Sequence, residues 1–167
     1  TLEGQNYILH FFFTSCPIVC PRNTTNIFNY IYVADRYGNK PFEEDEITIL
    51  SISIDDDSLE DLNGYMDRFG IDPSSNWHFL TGDRTYVQQF ANNMSQLVEN
   101  NFKSENEEHM GYSHSEYVLL IDKEGFFRRS VDDNIIWDAQ TENGMKILKD
   151  DIQALMFNQN IPRKNED

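Results

Sequence analysis

The chain predicts an α/β fold, a central mixed sheet flanked by helices. Three observations carry this prediction. Short apolar runs rich in aromatic and branched residues recur at 7–13, 47–54, 77–80 and 116–121, the pattern of buried strands. Stretches with apolar residues at helical spacing lie between the early ones. The last run is followed by a tight turn and a returning segment, as in a hairpin. Strands alternating with helices imply parallel pairing, with helices on both faces.

Taken in order, residues 7–13 are apolar on both faces and predict a first buried strand that ends at Thr14-Ser15. A helix is expected over 23–35, with Ile27, Ile31 and Ala34, and Phe28 and Tyr32, at helical spacing. Tyr37-Gly38-Asn39-Lys40-Pro41 closes it with a glycine stop and a proline. A second strand covers 47–54, and Asp57 or Ser58 can cap the helix that follows. Leu59, Leu62, Met66 and Phe69 mark its inner face, and Gly70 stops it. Residues 77–80 are a short strand, and 86–94 a helix with Val87, Phe90 and Ala91 inward. Residues 97–111 are polar and weakly periodic, an excursion outside the core. Residues 116–121 and 126–131 form the closing hairpin around Asp122-Lys123-Glu124-Gly125. Met145, Leu148, Ile152, Leu155 and Met156 mark a last helix, and 161–167 a charged tail. This is the thioredoxin-like order, with an insertion before the final hairpin and helix. No repeat, linker or second domain interrupts it, so residues 1–167 are expected to form a single domain.

The chain has 167 residues, enough for a hydrophobic core without disulfide staples. Its net charge of −16 repels phosphate, and no run of Lys and Arg offsets that, so nucleic acid is excluded as a partner. No apolar run reaches a membrane span. The start at Thr1-Leu2-Glu3-Gly4 predicts a fragment or processed chain whose anchor or export signal lies upstream.

The two cysteines, Cys16 and Cys20, are the only ones in the chain, and a proline follows each. They follow the carboxyl end of the first strand, the edge where open parallel sheets bind ligands. If Cys20 lies in a first helical turn, the spacing puts both thiols on one face. Helix N-terminal amides would then favour a thiolate. Such a pair can attack a disulfide, close on itself or hold a metal. Thioredoxin-type reductases separate their cysteines by two residues and face them with a cis-proline. Here three residues intervene, and Ser113-His114-Ser115 stands where that proline would be. Two thiolates suit Cu(I), and an added imidazole suits Cu(II). Zinc also accepts two Cys and one His.

The ordered set Phe11-Phe12-Phe13-Thr14-Ser15-Cys16-Pro17-Ile18-Val19-Cys20-Pro21, Ser53-Ile54-Asp55 with Asp57-Ser58, Phe79-Leu80-Thr81-Gly82, and His114-Ser115 before an apolar strand resembles the Sco/SenC family. Those proteins are thioredoxin-fold copper chaperones for cytochrome c oxidase assembly. The resemblance runs from about residue 4 to residue 157. It implies copper held by Cys16, Cys20 and His114, with Asp57 matching an acidic residue near the site. It also implies delivery to the dinuclear copper site of cytochrome c oxidase subunit II, and thiol–disulfide reductants that keep the pair reduced. The location implied is extracytoplasmic, in the periplasm or the mitochondrial intermembrane space, on a membrane anchor outside this chain. Members often carry Asp where Ile18 stands, and their loop after Asp55 is about two residues longer.

The competing reading is a thiol–disulfide reductase in which Cys16 attacks and Cys20 resolves. His109 and Met110 are copper-compatible, and are read either as exposed loop residues or as a transient loading site. His10 and His78 are expected to pack within their strands. The Asp55-Asp56-Asp57 run is a solvated strand end and helix cap, from which Asp57 can also orient a ligand.

Overall fold

The computed structural model describes residues 2–33, 39–43, 46–99, 116–129 and 137–157. Its sheet has five strands in the order β3-β2-β1-β4-β5: β1 Tyr7–Phe12, β2 Thr48–Ser53, β3 Trp77–Leu80, β4 Tyr117–Ile121 and β5 Trp137–Asp138. β1 and β2 run parallel from Tyr7↔Thr48 to Phe12↔Ser53, and β2 pairs parallel with β3. β4 is antiparallel to both β1 and β5. β1 is thus the centre of the sheet, and both of its faces are covered. That is why it reads as an unbroken apolar run.

The helices are α1 Val19–Ile27, which continues as a π-helical turn over Phe28–Tyr32, α2 Leu59–Phe69, α3 Arg84–Glu99 and α4 Glu142–Met156. One face of the sheet packs Ile8, Ile49, Trp77, Val118 and Leu120 against Ile27, Met66, Met145, Leu148 and Ile152 from α1, α2 and α4. The other packs Leu9, Phe11, Leu50, Leu119 and Ile121 against Phe90 and Ala91 of α3. Ser58 caps α2 through a reciprocal box with Asp61, and Gly70 ends it with φ +66°. Thr141 caps α4. A Cβ on Gly144 in its first turn would run into the Asp138 carbonyl, so only glycine lets α4 approach β5 this closely.

Several expectations are corrected. α1 begins at Val19, not Asn23. Pro21 falls in its first turn, where a missing N–H costs nothing, so the proline does not delay the helix. Of the expected returning hairpin segment, the described residues keep an antiparallel bridge, Ile121↔Phe127, with the Arg128 amide donating to the Leu120 carbonyl, and 130–131 lie outside them. The fifth strand is Trp137–Asp138 instead. Leu59 is not on the inner face of α2: it is 71% exposed, and Tyr65 joins Leu62 and Met66 inside. His78 is exposed, because β3 is an edge strand whose burial alternates. The glycine stop at 37–38, most of the 97–111 excursion and the 161–167 tail lie outside the described residues.

His10 is fully buried. The Asn23 amide nitrogen lies 3.4 Å from its Nε2, and Ser51 Oγ 3.3 Å from its Nδ1. An amide nitrogen only donates, so Nε2 accepts and Nδ1 carries the proton. Trp77 Nε1 also donates to Ser51 Oγ, at 2.9 Å. Gln140 Nε2 donates to Asn23 Oδ1 and to the Val19 carbonyl. A buried polar chain therefore runs from the sheet to the first turn of α1.

Burial holds the His10 imidazole neutral, with its pKa down at about 3. An unfolded histidine binds a proton below about 6.5, so this residue favours the folded state above that pH and loses the contribution as pH falls toward 3. Moving from pH 8 to pH 5 should cost about 2 kcal/mol through His10 alone. Denaturant titrations of the parent and His10→Gln at both values check this. The variant should lose that share of the acid sensitivity, and an unchanged pH profile would refute the assignment.

Candidate dithiol site

The cysteines stand where β1 hands over to α1. After Phe12 the chain turns through Thr14 and Ser15, and the Cys16 amide donates to the Phe13 carbonyl at 3.2 Å. Ile18 is the N-cap of α1, and Cys20 is its second residue. The Cys20 amide donates to Cys16 Sγ at 3.3 Å. Both cysteines are free thiols, each only 3% exposed. Phe12, Leu62 and Tyr65 form one apolar cluster with them, and Ile18 beside them is 64% exposed.

The two thiols are unequal. Burial pushes Cys16 up, but the amide and thiol of Cys20, with the amides of Ile18 and Val19, outweigh it and hold Cys16 below its ordinary value. The amides are N–H groups of a helix start without intrahelical partners, which favour negative charge. Cys20 is pushed up to about 12, first by burial and then by its contact with Cys16. Cys16 is the thiol of the pair that gives up its proton more readily, and Cys20 holds its proton more tightly.

Asp57 holds the loop that carries Cys16. Its carboxylate accepts from the Thr14 amide at 2.9 Å, the Thr14 hydroxyl at 2.5 Å and the Ser53 hydroxyl at 2.6 Å. The Thr81 hydroxyl donates to its carbonyl at 2.7 Å. Ser58, not Asp57, caps α2. Asp55 and Asp56 face Arg84 at 3.4 and 3.2 Å.

Of the residues singled out from sequence, Cys16 and Cys20 lie in contact, and Asp57 grips the turn two residues before Cys16. His109, Met110 and His114 lie outside the described residues. Among the described residues, no three His, Cys, Asp or Glu side chains gather as a metal site. Sequence reasoning missed Tyr65 and Thr24. The Thr24 and Tyr65 hydroxyls lie 2.9 Å apart, and burial pushes the Tyr65 phenol up to about 12, so it stays protonated. The available signal was that Thr24 follows Cys20 by one helical turn and Tyr65 follows Leu62 by three residues.

A mixed sheet with a dithiol at its β1–α1 junction defines a thioredoxin-like dithiol protein. The SCO1/SenC family model matches residues 1–148, and the chain belongs to that family. A SCO1/SenC family lipoprotein from Bacillus anthracis str. Ames is similar in structure, with 24% identity, a TM-score of 0.64 and coverage of 92% of this chain and 83% of that one. BsSco, a Sco-family cytochrome c oxidase assembly protein in which a disulfide switch is identified, matches with 17% identity, a TM-score of 0.65 and coverage of 95% and 84%. Yeast Sco1 with copper bound matches with 22% identity, a TM-score of 0.58 and coverage of 95% and 82%. Comparison with curated protein sequences gives no match.

Asp57→Asn replaces one acceptor oxygen with a donor that faces Thr14 or Ser53. Hydrogen bonds to a charged group contribute about 1.5–3 kcal/mol, so the variant should lose about 2 kcal/mol in denaturant titration. A stability equal to the parent's would show that the carboxylate does not hold this loop.

Proposed function

We propose that the chain takes up copper on Cys16, Cys20 and His114 and passes it to the dinuclear copper site of cytochrome c oxidase subunit II. The observation that carries this reading is the buried, unequal dithiol at the start of α1 in a SCO1/SenC chain. Yeast Sco1, a relative of the same fold, is known with copper bound, and BsSco belongs to a family of oxidase assembly proteins.

Copper is the cargo. Cys16, the more readily deprotonated thiol, offers the first soft ligand, and Cys20 adds a second as copper displaces its proton. An imidazole from His114 would complete a set that accepts both Cu(I) and Cu(II). Release is a ligand exchange in which the acceptor's thiolates replace these donors one at a time. Ile18 puts an apolar edge beside the thiols, where a partner would dock.

The same unequal pair also suits a reductase, with attack by Cys16, whose pKa is lowered, and resolution by Cys20. An extracytoplasmic, membrane-anchored location is proposed because the Bacillus anthracis relative is a lipoprotein. No helix among the described residues is long and apolar enough to cross a membrane.

The test is an anaerobic titration of the reduced protein with Cu(II) and, separately, Cu(I), followed by optical and EPR spectra. A one-to-one complex with thiolate-to-Cu(II) charge transfer should appear in the parent and vanish in Cys16→Ala. His114→Ala should bind at least about tenfold more weakly, ~1.4 kcal/mol, while still exchanging disulfides. Copper binding as tight as the parent's in His114→Ala would remove that residue from the site. Rapid oxidation to a disulfide with no stable complex would favour the reductase.

A further inference from the structure

The two cysteines are held by different means. Cys16 lies in a loop fixed by Asp57, whereas Cys20 lies on a helix whose underside faces α2. Thr24 follows Cys20 by one turn on the same face and is fully buried. Its hydroxyl meets the Tyr65 hydroxyl, which comes from α2. The Tyr65 ring lies in one apolar cluster with both cysteines. Phe12, Phe69 and Phe79 hold it at centroid distances of 5.1, 4.9 and 5.9 Å. The Arg68 guanidinium lies 4.8 Å from its centroid. A ring held by that many neighbours has little freedom, so its hydroxyl is a fixed point for α1.

We infer that Tyr65 is a positioning residue for the dithiol: through Thr24 it fixes the first turns of α1, and so holds Cys20 within reach of Cys16. The inference deepens the proposed function and rests on its assignment of the pair as the working thiols. Closure should then need little movement of the helix, and the effective concentration of one thiol toward the other should be high.

The readout is the equilibrium of the copper-free protein with glutathione. The reduced protein and glutathione disulfide give the protein disulfide and two glutathione thiols. The two protein S–H bonds and the glutathione S–S bond break, and the Cys16–Cys20 bond and two glutathione S–H bonds form. Two electrons and two protons pass to glutathione. Tyr65→Phe keeps the ring and removes the hydroxyl, and Thr24→Val removes its partner at similar volume. Each should lower the equilibrium constant about three- to tenfold, and the double variant should fall no further than the larger single effect. Thr24→Ser keeps a hydroxyl and should stay near the parent.

A lowered melting temperature with an unchanged constant in both single variants would reduce the pair to packing and overturn the inference. Multiplicative losses in the double variant would also overturn it, because the hydroxyls would then act separately. Copper titration of the parent separates the two readings. No copper binding with a coupled glutathione constant removes only the copper reading. Copper binding with an unchanged constant removes only the positioning role.

Discussion

The Cys20 amide donates to the Cys16 sulfur at 3.3 Å, and this bond exists because α1 starts at Val19. A helix start leaves several N–H groups without intrahelical partners. Here one of them is satisfied by a thiol sulfur rather than by a capping side chain, since Ile18 at the N-cap has none to offer. The consequence is chemical. The sulfur that receives the bond is stabilised as a thiolate, and the neighbour on the helix is left buried and protonated. A start four residues later would leave both cysteines in an irregular loop, with no reason to differ.

That helix start is fixed by polar contacts made from below. Asn23 joins the His10 chain to Gln140, which also binds the Val19 carbonyl. Thr24 joins Tyr65 of α2. These are buried polar groups in an otherwise apolar interface, and each finds a partner on a different element, as such groups must. The central sheet, α2 and the loop before α4 thus all bear on the same two turns of α1. Asp57 does the equivalent for the loop that carries Cys16.

Much of this was legible from the chain itself. The strands at 7–12, 48–53, 77–80 and 117–121 follow from their apolar runs, and α2 and α4 follow from helical spacing. The helical spacing of apolar residues begins only at Ile27, so the polar first turns of α1 from Val19 carry no periodic signal. β5 was missed because a two-residue strand has no period to detect. Leu59 was assigned inward by spacing, yet it sits at the first position of α2, beyond the edge of the core. At the site, the thiol pair could be read from spacing, and the place of Asp57 followed from the family resemblance. The Thr24–Tyr65 contact could not, because it joins residues 41 apart in sequence and no local pattern encodes such a pairing. The spacing of Thr24 from Cys20 and of Tyr65 from Leu62, with the polar character of Thr24 and Asn23 on a helix, hinted only that something lay beneath.

The unequal dithiol suits both metal capture and disulfide exchange, family membership favours the first, and the proposed role of His114 is what separates the two. X-ray absorption on the Cu(I)-loaded protein tests this most directly. Capture on Cys16, Cys20 and His114 predicts a copper shell of two sulfur donors and one imidazole nitrogen, with the nitrogen lost in His114→Ala. A shell of sulfur alone, or one unchanged by that substitution, would contradict it.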